Sequence, residues 1–232
     1  MAIWFSLIVG AYLLGSVPAS YLAAKLSRGI DLRQYGTGQV GGGNLWRMTS
    51  WRLGLPVGFF DVSKGLVMVW IAKLVGLDIA QQLVVGSAAI AGHNWPVFLR
   101  FSGGRGLGTT IGIVLILPLI NEMTSWASVA FFAILLIGFA ILRSSPLPTL
   151  VSVIALPLAS WWFYEPLTVT LGFLSIPMII IIKRLTAPRS SYTTTVSKRQ
   201  LLLNRLLFDR DIKDKKAWMY RDPAGQPDKE KD

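Results

Sequence analysis

The chain is short of residues that many enzymes depend on. It has no cysteine and one histidine, and 12 Asp and Glu stand against 23 Lys and Arg. Without cysteine, disulfide bonds, thiolate metal ligands and a thioester acyl-enzyme are excluded. Residues 1–182 hold five acids, too few for a two-metal phosphotransfer site. Charged residues make up 15% of the chain, against about 25% in typical soluble domains. These shortages, with a mean hydropathy of +0.53, indicate a membrane protein.

Two familiar phosphate and acyl-transfer motifs are also missing. No lysine follows the spacing of a Walker phosphate loop. A soluble-type acyltransferase box of His, four residues and Asp would need Asp at position 98, where the chain has Phe98. The formal net charge of +11 could suggest nucleic acid, but anionic lipid headgroups explain it at least as well. We therefore expect membrane lipids, and no nucleic acid, among the partners.

Apolar stretches long enough to cross a membrane, about 20 residues each, fill the first 182 positions. The predicted fold is an all-α integral membrane protein with about seven transmembrane helices, and six or eight spans remain alternatives. Residues 1–185 form the predicted membrane domain, 186–222 a basic cytoplasmic tail and 223–232 a disordered end. The predicted spans are 2–24, 53–76, 80–99, 107–120, 125–142, 147–164 and 167–182.

The placement of charge between these spans predicts their orientation. Lys and Arg follow spans one, three, five and seven, whereas the alternate connections carry Asp78, Glu122 and Glu165, with Lys73 the one cation nearby. Because cytoplasmic loops are enriched in Lys and Arg, we expect the N-terminus outside and the basic tail in the cytoplasm.

The first of three polar stretches is a glycine-rich loop at residues 36–43, which we call the first glycine loop. It has five glycines in eight positions. Consecutive backbone amides that no Cβ shields can form an anion-binding nest. We predict a phosphate cradle in which Thr37, Gln39 and Asn44 add side-chain donors and Arg47 adds charge. The alternative is a flexible cytoplasmic loop.

The second stretch contains Asp61 and Lys64 inside the second predicted span. Residues three apart lie on one helical face and can pair. Ionisable residues inside a membrane are costly and are therefore candidates for function. The alternative is a structural ion pair in which Lys64 extends toward the interface.

The third stretch begins at His93 and continues into residues 103–106, Gly-Gly-Arg-Gly, which we call the second glycine turn. His93 could take part in function or be a hydrogen-bonded packing residue. The turn leads into the fourth span, and a helix N-terminus with the charge of Arg105 would make a second anion site. Two anion sites and an ion pair on one face suggest an anionic, phosphorylated substrate at the cytoplasmic interface.

The order and spacing of these residues resemble the bacterial acyl-phosphate-dependent glycerol-3-phosphate acyltransferases over most of residues 10–112. The matching segments are Gly15-Ser16-Val17-Pro18 with Tyr21, Gly36-x-Gly38-x-x-Gly41-x-x-Asn44-x-x-Arg47, Asp61-x-x-Lys64-Gly65, and Gly92-His93-x-x-Pro96-x-Phe98-x-x-Phe101-x-Gly103-Gly104-x-Gly106.

The resemblance implies a seven-helix enzyme of the bacterial inner membrane with its active face in the cytoplasm. It implies acyl transfer from acyl phosphate to the 1-hydroxyl of glycerol 3-phosphate, giving lysophosphatidic acid, without a metal, a cofactor or a covalent intermediate. We expect catalytic roles for Thr37, Arg47 and Arg105. The expected substrate-binding residues are Gly36, Gly38, Gln39, Gly41, Asn44, Asp61, Lys64, His93, Gly103, Gly104 and Gly106.

The chain also departs from the family pattern. Thr37-Gly38-Gln39 stands where the family has Ser-Gly-Asn, Gly42-Gly43 where it has Ala-Thr, and Arg105 where it has Lys. The tail segment 199–207 resembles the family's tail but lacks its His and one Asn. The alternative function is therefore a non-catalytic or altered-substrate paralogue that acts as a transporter or a lipid-binding membrane protein.

Overall fold

The computed structural model of the chain describes residues 1–190 and 196–221. In these ranges the chain is helical and contains no β-strand. The disordered end predicted at 223–232 lies outside the described residues. The α-helices are α1 Ala2–Ser16, α2 Ala19–Arg28, α3 Gly42–Met48, α4 Trp51–Leu74, α5 Ile79–Asn94, α6 Leu107–Ile120, α7 Trp126–Leu142, α8 Pro146–Trp162, α9 Leu167–Leu185, α10 Lys198–Phe208 and α11 Lys215–Met219, with a short 3-10 helix at Val97–Leu99.

Three helical segments among the described residues are long and apolar enough to cross a membrane. They are Ala2–Arg28, which comprises α1 and α2, then Trp51–Leu74 and Leu167–Leu185. Helices α6, α7 and α8 are apolar but shorter, with 14, 17 and 17 residues. The fourth predicted span, 107–120, matches α6 at both ends. The second, fifth, sixth and seventh agree with α4, α7, α8 and α9 to within three residues at each end.

The first predicted span, 2–24, lies within the apolar segment Ala2–Arg28, in which the chain breaks between α1 and α2. Pro18 has no N–H to donate, and Val17 before it is extended with ψ 113°. The break leaves carbonyl oxygens of α1 without helical partners. The Lys64 ammonium donates to the Gly15 carbonyl of α1 at 3.3 Å and to the Val17 carbonyl in the break at 2.7 Å.

The third predicted span, 80–99, is also shorter than expected. Helix α5 ends at Asn94, because Trp95 precedes Pro96 and adopts φ −126° and ψ 65°. The Tyr12 hydroxyl donates to the Trp95 carbonyl at 2.8 Å, which ties this turn to α1. The chain therefore leaves the bundle in a tight turn before it re-enters as α6.

Glycines allow the helices to cross with their backbones in contact. A Cβ at Gly92 in α5 would lie 2.1 Å from the Tyr12 carbonyl oxygen of α1. A Cβ at Gly112 in α6 would lie 2.0 Å from the Val62 carbonyl oxygen of α4. Small residues at such crossings are typical of helix packing in membranes, where close approach replaces the hydrophobic driving force.

The bundle is apolar both inside and outside. Its main core joins α4 to α9 around residues such as Leu83, Ile113 and Phe131. Large apolar side chains also cover the outside, including Phe59 and Ile141, which are 72% and 73% exposed. A water-soluble protein of this size would rarely leave so much apolar surface open.

The described part of the predicted tail is docked on the bundle. Arg184, at the end of α9, is 1% exposed and donates to the carbonyls of Leu206 in α10 and Pro146 in α8, each at 2.6 Å. Within the tail, Arg205 pairs with Asp211 at 2.7 Å. These buried contacts fix the direction in which the tail leaves α9.

Candidate active site

The first glycine loop is held in shape by the side chain of Asn44. Its Nδ2 donates to the carbonyls of Leu32, Tyr35 and Gln39, at 3.3, 3.0 and 3.0 Å. Its Oδ1 accepts from the Thr37 amide at 3.0 Å. Asn44 was predicted to donate to substrate, but these donors are engaged by the loop itself. The side chain, 4% exposed, therefore acts as the scaffold of the loop.

Two glycines of this loop take a conformation that other residues rarely adopt. Gly36 and Gly38 have φ of 59° and 76°. A Cβ at Gly36 would also lie 2.4 Å from the Oδ1 of Asn44. Gly41 differs: its backbone is extended, it begins α3, and a Cβ there would meet nothing within 4 Å. The strict need for glycine is thus at positions 36 and 38.

The approach to the loop is fixed by a local ion pair. Arg33 donates to both carboxylate oxygens of Asp31 at 2.5 to 3.1 Å and lies over the Tyr21 ring. Burial acts to raise the pKa of Asp31, but the hydrogen bonds and charge of Arg33 outweigh it, so that pKa lies below its ordinary value. Asp31 therefore remains ionised and keeps this turn in place.

The predicted pairing of Asp61 with Lys64 is present, at 2.8 Å between buried side chains. The Lys64 ammonium has three protons, and Asp61, Gly15 and Val17 accept all three. No donor of Lys64 remains for a substrate. The structure thus supports the structural interpretation of this lysine, as the residue that satisfies the break between α1 and α2.

His93 links this ion pair to the second glycine turn. Its Nδ1 lies 3.5 Å from the Asp61 Oδ1, and the residue is 8% exposed. On the other side of the ring, a Cβ at Gly104 would lie 2.2 Å from His93 Nε2 and 2.4 Å from the Val40 carbonyl oxygen. Because Gly104 touches Val40, the two glycine segments meet directly.

The second glycine turn folds back over the end of α5. The amides of Gly103 and Gly104 donate to the carbonyls of Asn94 and His93, at 3.2 and 3.1 Å. Gly106, with φ 70°, begins α6 and packs against the Asn94 side chain. That side chain is fully buried, and neither its Oδ1 nor its Nδ2 has a partner within the described ranges. The N-terminus of α6 therefore lies next to a buried polar side chain.

The two predicted arginines have different surroundings. Arg105 lies between the glycine segments, and its Nε donates to Asp209 of the tail at 2.6 Å. Arg47 is exposed on α3, and its Nη1 donates to the Gly43 carbonyl at 3.2 Å. Arg105 is therefore held by the tail, whereas the described contacts of Arg47 stay within its own helix.

The sequence did not predict several residues of the site, because they come from the tail or from the end of α9. Trp218 donates from Nε1 to the Thr37 carbonyl at 3.2 Å, and Arg221 donates to the Gly36 carbonyl at 2.7 Å. Lys183 is 6% exposed and lies over the Trp95 ring. The sequence signalled only that the tail was basic, which does not reveal which loop it contacts.

A small cleft opens beside these groups. It is bounded by the α1–α2 break around Pro18, by Val40, and by the Asp61 and His93 side chains. Among residues 1–190 and 196–221, no three His, Asp or Glu side chains are grouped to hold a metal ion. The side chains that line the cleft include the carboxylate of Asp61, the ammonium of Lys64 and the imidazole of His93.

Comparisons with known proteins agree on one class. The family model described as glycerol-3-phosphate acyltransferase matches residues 5–189. "Glycerol-3-phosphate acyltransferase 4" of Dehalococcoides mccartyi strain CBDB1 is 40% identical over 96% of this chain and 95% of its own length. "Glycerol-3-phosphate acyltransferase 5" of D. mccartyi strain 195 is 39% identical over the same shares.

Two crystal structures of PlsY, an integral membrane glycerol 3-phosphate acyltransferase, have a similar fold. The glycerol 3-phosphate form has a TM-score of 0.69 at 31% identity and covers 78% of this chain and 88% of PlsY. The lysophosphatidic acid form has a TM-score of 0.67 at 28% identity, with 78% and 87% covered. The fold is that of a multi-pass membrane acyltransferase. The chain belongs to the glycerol-3-phosphate acyltransferase family.

Proposed function

We propose that this enzyme transfers an acyl group from acyl phosphate to the 1-hydroxyl of glycerol 3-phosphate, giving lysophosphatidic acid. The observation that carries the proposal is the meeting of the two glycine segments at Gly104 and Val40, with Arg105 beside them. Both proposed substrates carry a phosphate, and the guanidinium groups of Arg105 and Arg47, with the N-terminus of α6 next to the second glycine turn, are suited to bind them.

The chemistry follows from this arrangement. The 1-hydroxyl oxygen of glycerol 3-phosphate attacks the acyl carbonyl carbon and the bond from that carbon to the phosphate oxygen breaks. Inorganic phosphate leaves and takes up the proton that the hydroxyl gives up. The substrate supplies the nucleophile, so the protein needs no acyl-enzyme. Its contribution is to hold the two substrates together and to stabilise the charge on the leaving phosphate. We assign Arg105 to that phosphate, Arg47 to a second phosphate, and the Thr37 hydroxyl to orientation of the substrates.

The site lies at the cytoplasmic face of the bacterial inner membrane in this proposal. Seven membrane segments, made of α1 with α2, then α4 to α9, place both glycine segments at the same end of the bundle. That end carries Arg28, Arg33, Arg47 and Arg100, whereas the opposite connections carry Asp78, Glu122 and Glu165. The positive-inside rule favours the cytoplasm for the basic end.

The test uses the purified full-length protein in detergent. It is given acyl phosphate and glycerol 3-phosphate, and lysophosphatidic acid is measured by mass spectrometry, with Arg105→Ala as the control. We expect product in the absence of any membrane gradient. A wild-type rate no higher than that of the control would contradict the proposal, and gradient-free turnover would contradict the transporter alternative.

A further inference from the structure

One carboxylate connects the two glycine segments. Asp209 follows α10, and its side chain is 5% exposed. Its Oδ1 accepts from Arg105 Nε and its Oδ2 accepts from Gln39 Nε2, both at 2.6 Å. Gln39 belongs to the first glycine loop and Arg105 to the second glycine turn. The tail therefore reaches the point at which the two segments meet and holds one residue of each.

Asp209 does not neutralise this region. Lys183 and Arg184 are 6% and 1% exposed, and neither is within 4 Å of a carboxylate in residues 1–190 and 196–221. Two guanidinium groups, those of Arg105 and Arg184, thus lie in or beside the turn for the one carboxylate of Asp209. Arg184 is held by carbonyl oxygens, which do not balance its charge, so the remaining positive charge favours an additional anion here.

The hydrogen bonds of Arg105 within the described residues leave part of its guanidinium group without a partner. Asp209 takes the Nε proton, and the Nη1 group makes a 3.5 Å contact with the Lys183 carbonyl. The Nη2 group donates to nothing within the described chain. A guanidinium is planar, so fixing Nε also fixes the direction of both Nη groups. This is the geometry in which a carboxylate orients an arginine toward a phosphate.

We propose that Asp209 is a positioning residue of the phosphate site, acting through Arg105 and Gln39. The inference rests on the proposed function and adds the tail to the active site. Residues 5–189 match the family model, so this element lies beyond the matched region. A second contact supports it: Trp218, nine residues further on, donates to the Thr37 carbonyl. With the bond from Arg221 to the Gly36 carbonyl, the tail thus contacts the first glycine loop at three points.

The backbone at Asp209 determines which variants are informative. Its φ is 54°, in the left-handed region, where Asn and Gly are accommodated with the least strain. Asp209→Asn keeps the shape and removes the charge, and Asp209→Gly removes the side chain. Asp214→Asn is the matched control, because it removes an equal charge from the same tail, and Asn can still cap α11 as Asp214 does.

We expect Asp209→Asn to raise the KM for acyl phosphate about tenfold, the usual effect of losing one hydrogen bond to a charged group. The thermal midpoint in detergent should stay close to wild type, and Asp214→Asn should change neither quantity. If Asp209→Asn lowers the thermal midpoint, the KM for acyl phosphate is instead compared between Asp209→Gly, wild type and Asp214→Asn. An unchanged KM in folded protein would overturn the proposal. A lower KM would also overturn it, because the carboxylate would then be competing with substrate for Arg105.

A second measurement does not depend on turnover. Inorganic phosphate that binds the folded protein raises its thermal midpoint. We expect this rise in wild type, a smaller rise in Asp209→Asn, and no further reduction when Asp209→Asn is added to Arg105→Ala, since the two act as one unit. Full additivity of the two substitutions would overturn the proposal. A wild-type protein that makes no lysophosphatidic acid, but whose phosphate response depends on Asp209, would contradict the proposed function and support this inference.

Discussion

At the scale of single residues, the site depends on contacts that leave no room for a side chain. Gly104 lies between the His93 ring and the Val40 carbonyl, and it is there that the two glycine segments touch. Gly36 and Gly38 are required for a different reason, their positive φ. The spacing of glycines predicted an amide-rich loop, but it did not distinguish these two requirements.

Gly104→Ala should lower kcat/KM about 100-fold. The new methyl group would overlap His93 Nε2 and the Val40 oxygen, and the two glycine segments would have to separate. A displacement of about 1 Å at a reacting site can cost this much. Steady-state kinetics measure the loss. Gly10→Ala is the control, because its Cβ would meet nothing within 4 Å. Normal kinetics in Gly104→Ala would show that the close contact is not needed for activity.

Arg47 is the second residue that we assign to a phosphate, although its exposed position does not by itself indicate that role. Its side chain is exposed and makes a single 3.2 Å bond to the Gly43 carbonyl within its own helix, so it can turn toward a bound phosphate at little cost. We expect Arg47→Ala to lower kcat/KM at least about tenfold, mainly through KM for one phosphate substrate. Arg52→Ala removes another exposed cation nearby and should have no effect. If both variants behave alike, Arg47 is not a phosphate ligand.

At the scale of elements, the interruptions of the helices build the site. The break at Pro18 and the turn at Pro96 end α1 and α5 early, and the cleft opens beside them. In a membrane, backbone groups freed by such breaks need partners from the protein. Lys64 is that partner at the first break, which explains a buried cation inside a membrane helix.

Lys64→Met should destabilise the protein by about 3–5 kcal/mol, because it leaves the Asp61 carboxylate buried without its cation and removes the hydrogen bonds of Lys64 to the Gly15 and Val17 carbonyls. Unfolding by sodium dodecyl sulfate in mixed micelles, followed by circular dichroism, measures the change. In the double variant with Asp61→Asn, we expect part of the stability to return, since the unpaired charge is gone. Strict additivity of the two substitutions would be inconsistent with a buried pair.

At the scale of the whole molecule, the two ends of the bundle differ in charge and in content. Both glycine segments and the docked tail occupy the end that carries most of the arginines. The opposite end carries Asp78, Glu122 and Glu165 with exposed aromatic residues such as Trp161 and Trp162. Aromatic residues commonly lie at the membrane interface. This asymmetry predicts one orientation in the membrane.

The lack of cysteine makes the orientation directly testable. Ser27→Cys at the end with the glycine segments and Ser125→Cys at the opposite end are close in size to the native residues, and both positions are exposed. A membrane-impermeant maleimide should label Ser125→Cys in bacteria with a permeabilised outer membrane. Ser27→Cys should be labelled only after the inner membrane is opened. Labelling of Ser27→Cys in the first condition would reverse the predicted topology.

Local features of the sequence determined much of this protein. Apolar runs between glycine, proline and charge predicted α6 at both ends and α4, α7, α8 and α9 closely, because these signals act within a few residues. The glycine segments and the pairing of Asp61 with Lys64 could be predicted from the sequence for the same reason. Pro18 and Pro96 were recognised as helix breakers, but the predicted spans 2–24 and 80–99 did not locate the ends of α1 and α5, since hydropathy alone does not register a change of backbone direction.

Tertiary structure decided which of these groups serve the site and which serve the fold. Lys64 donates to carbonyls at the break between α1 and α2, and Asn44 donates to its own loop. Asp209 meets Gln39 across 170 residues of chain and Arg105 across 104. No local pattern encodes contacts at such separations, because they depend on how the packed helices direct the tail. The sequence thus determined the membrane fold and its glycine segments, and the folded bundle determined how charge is arranged around them.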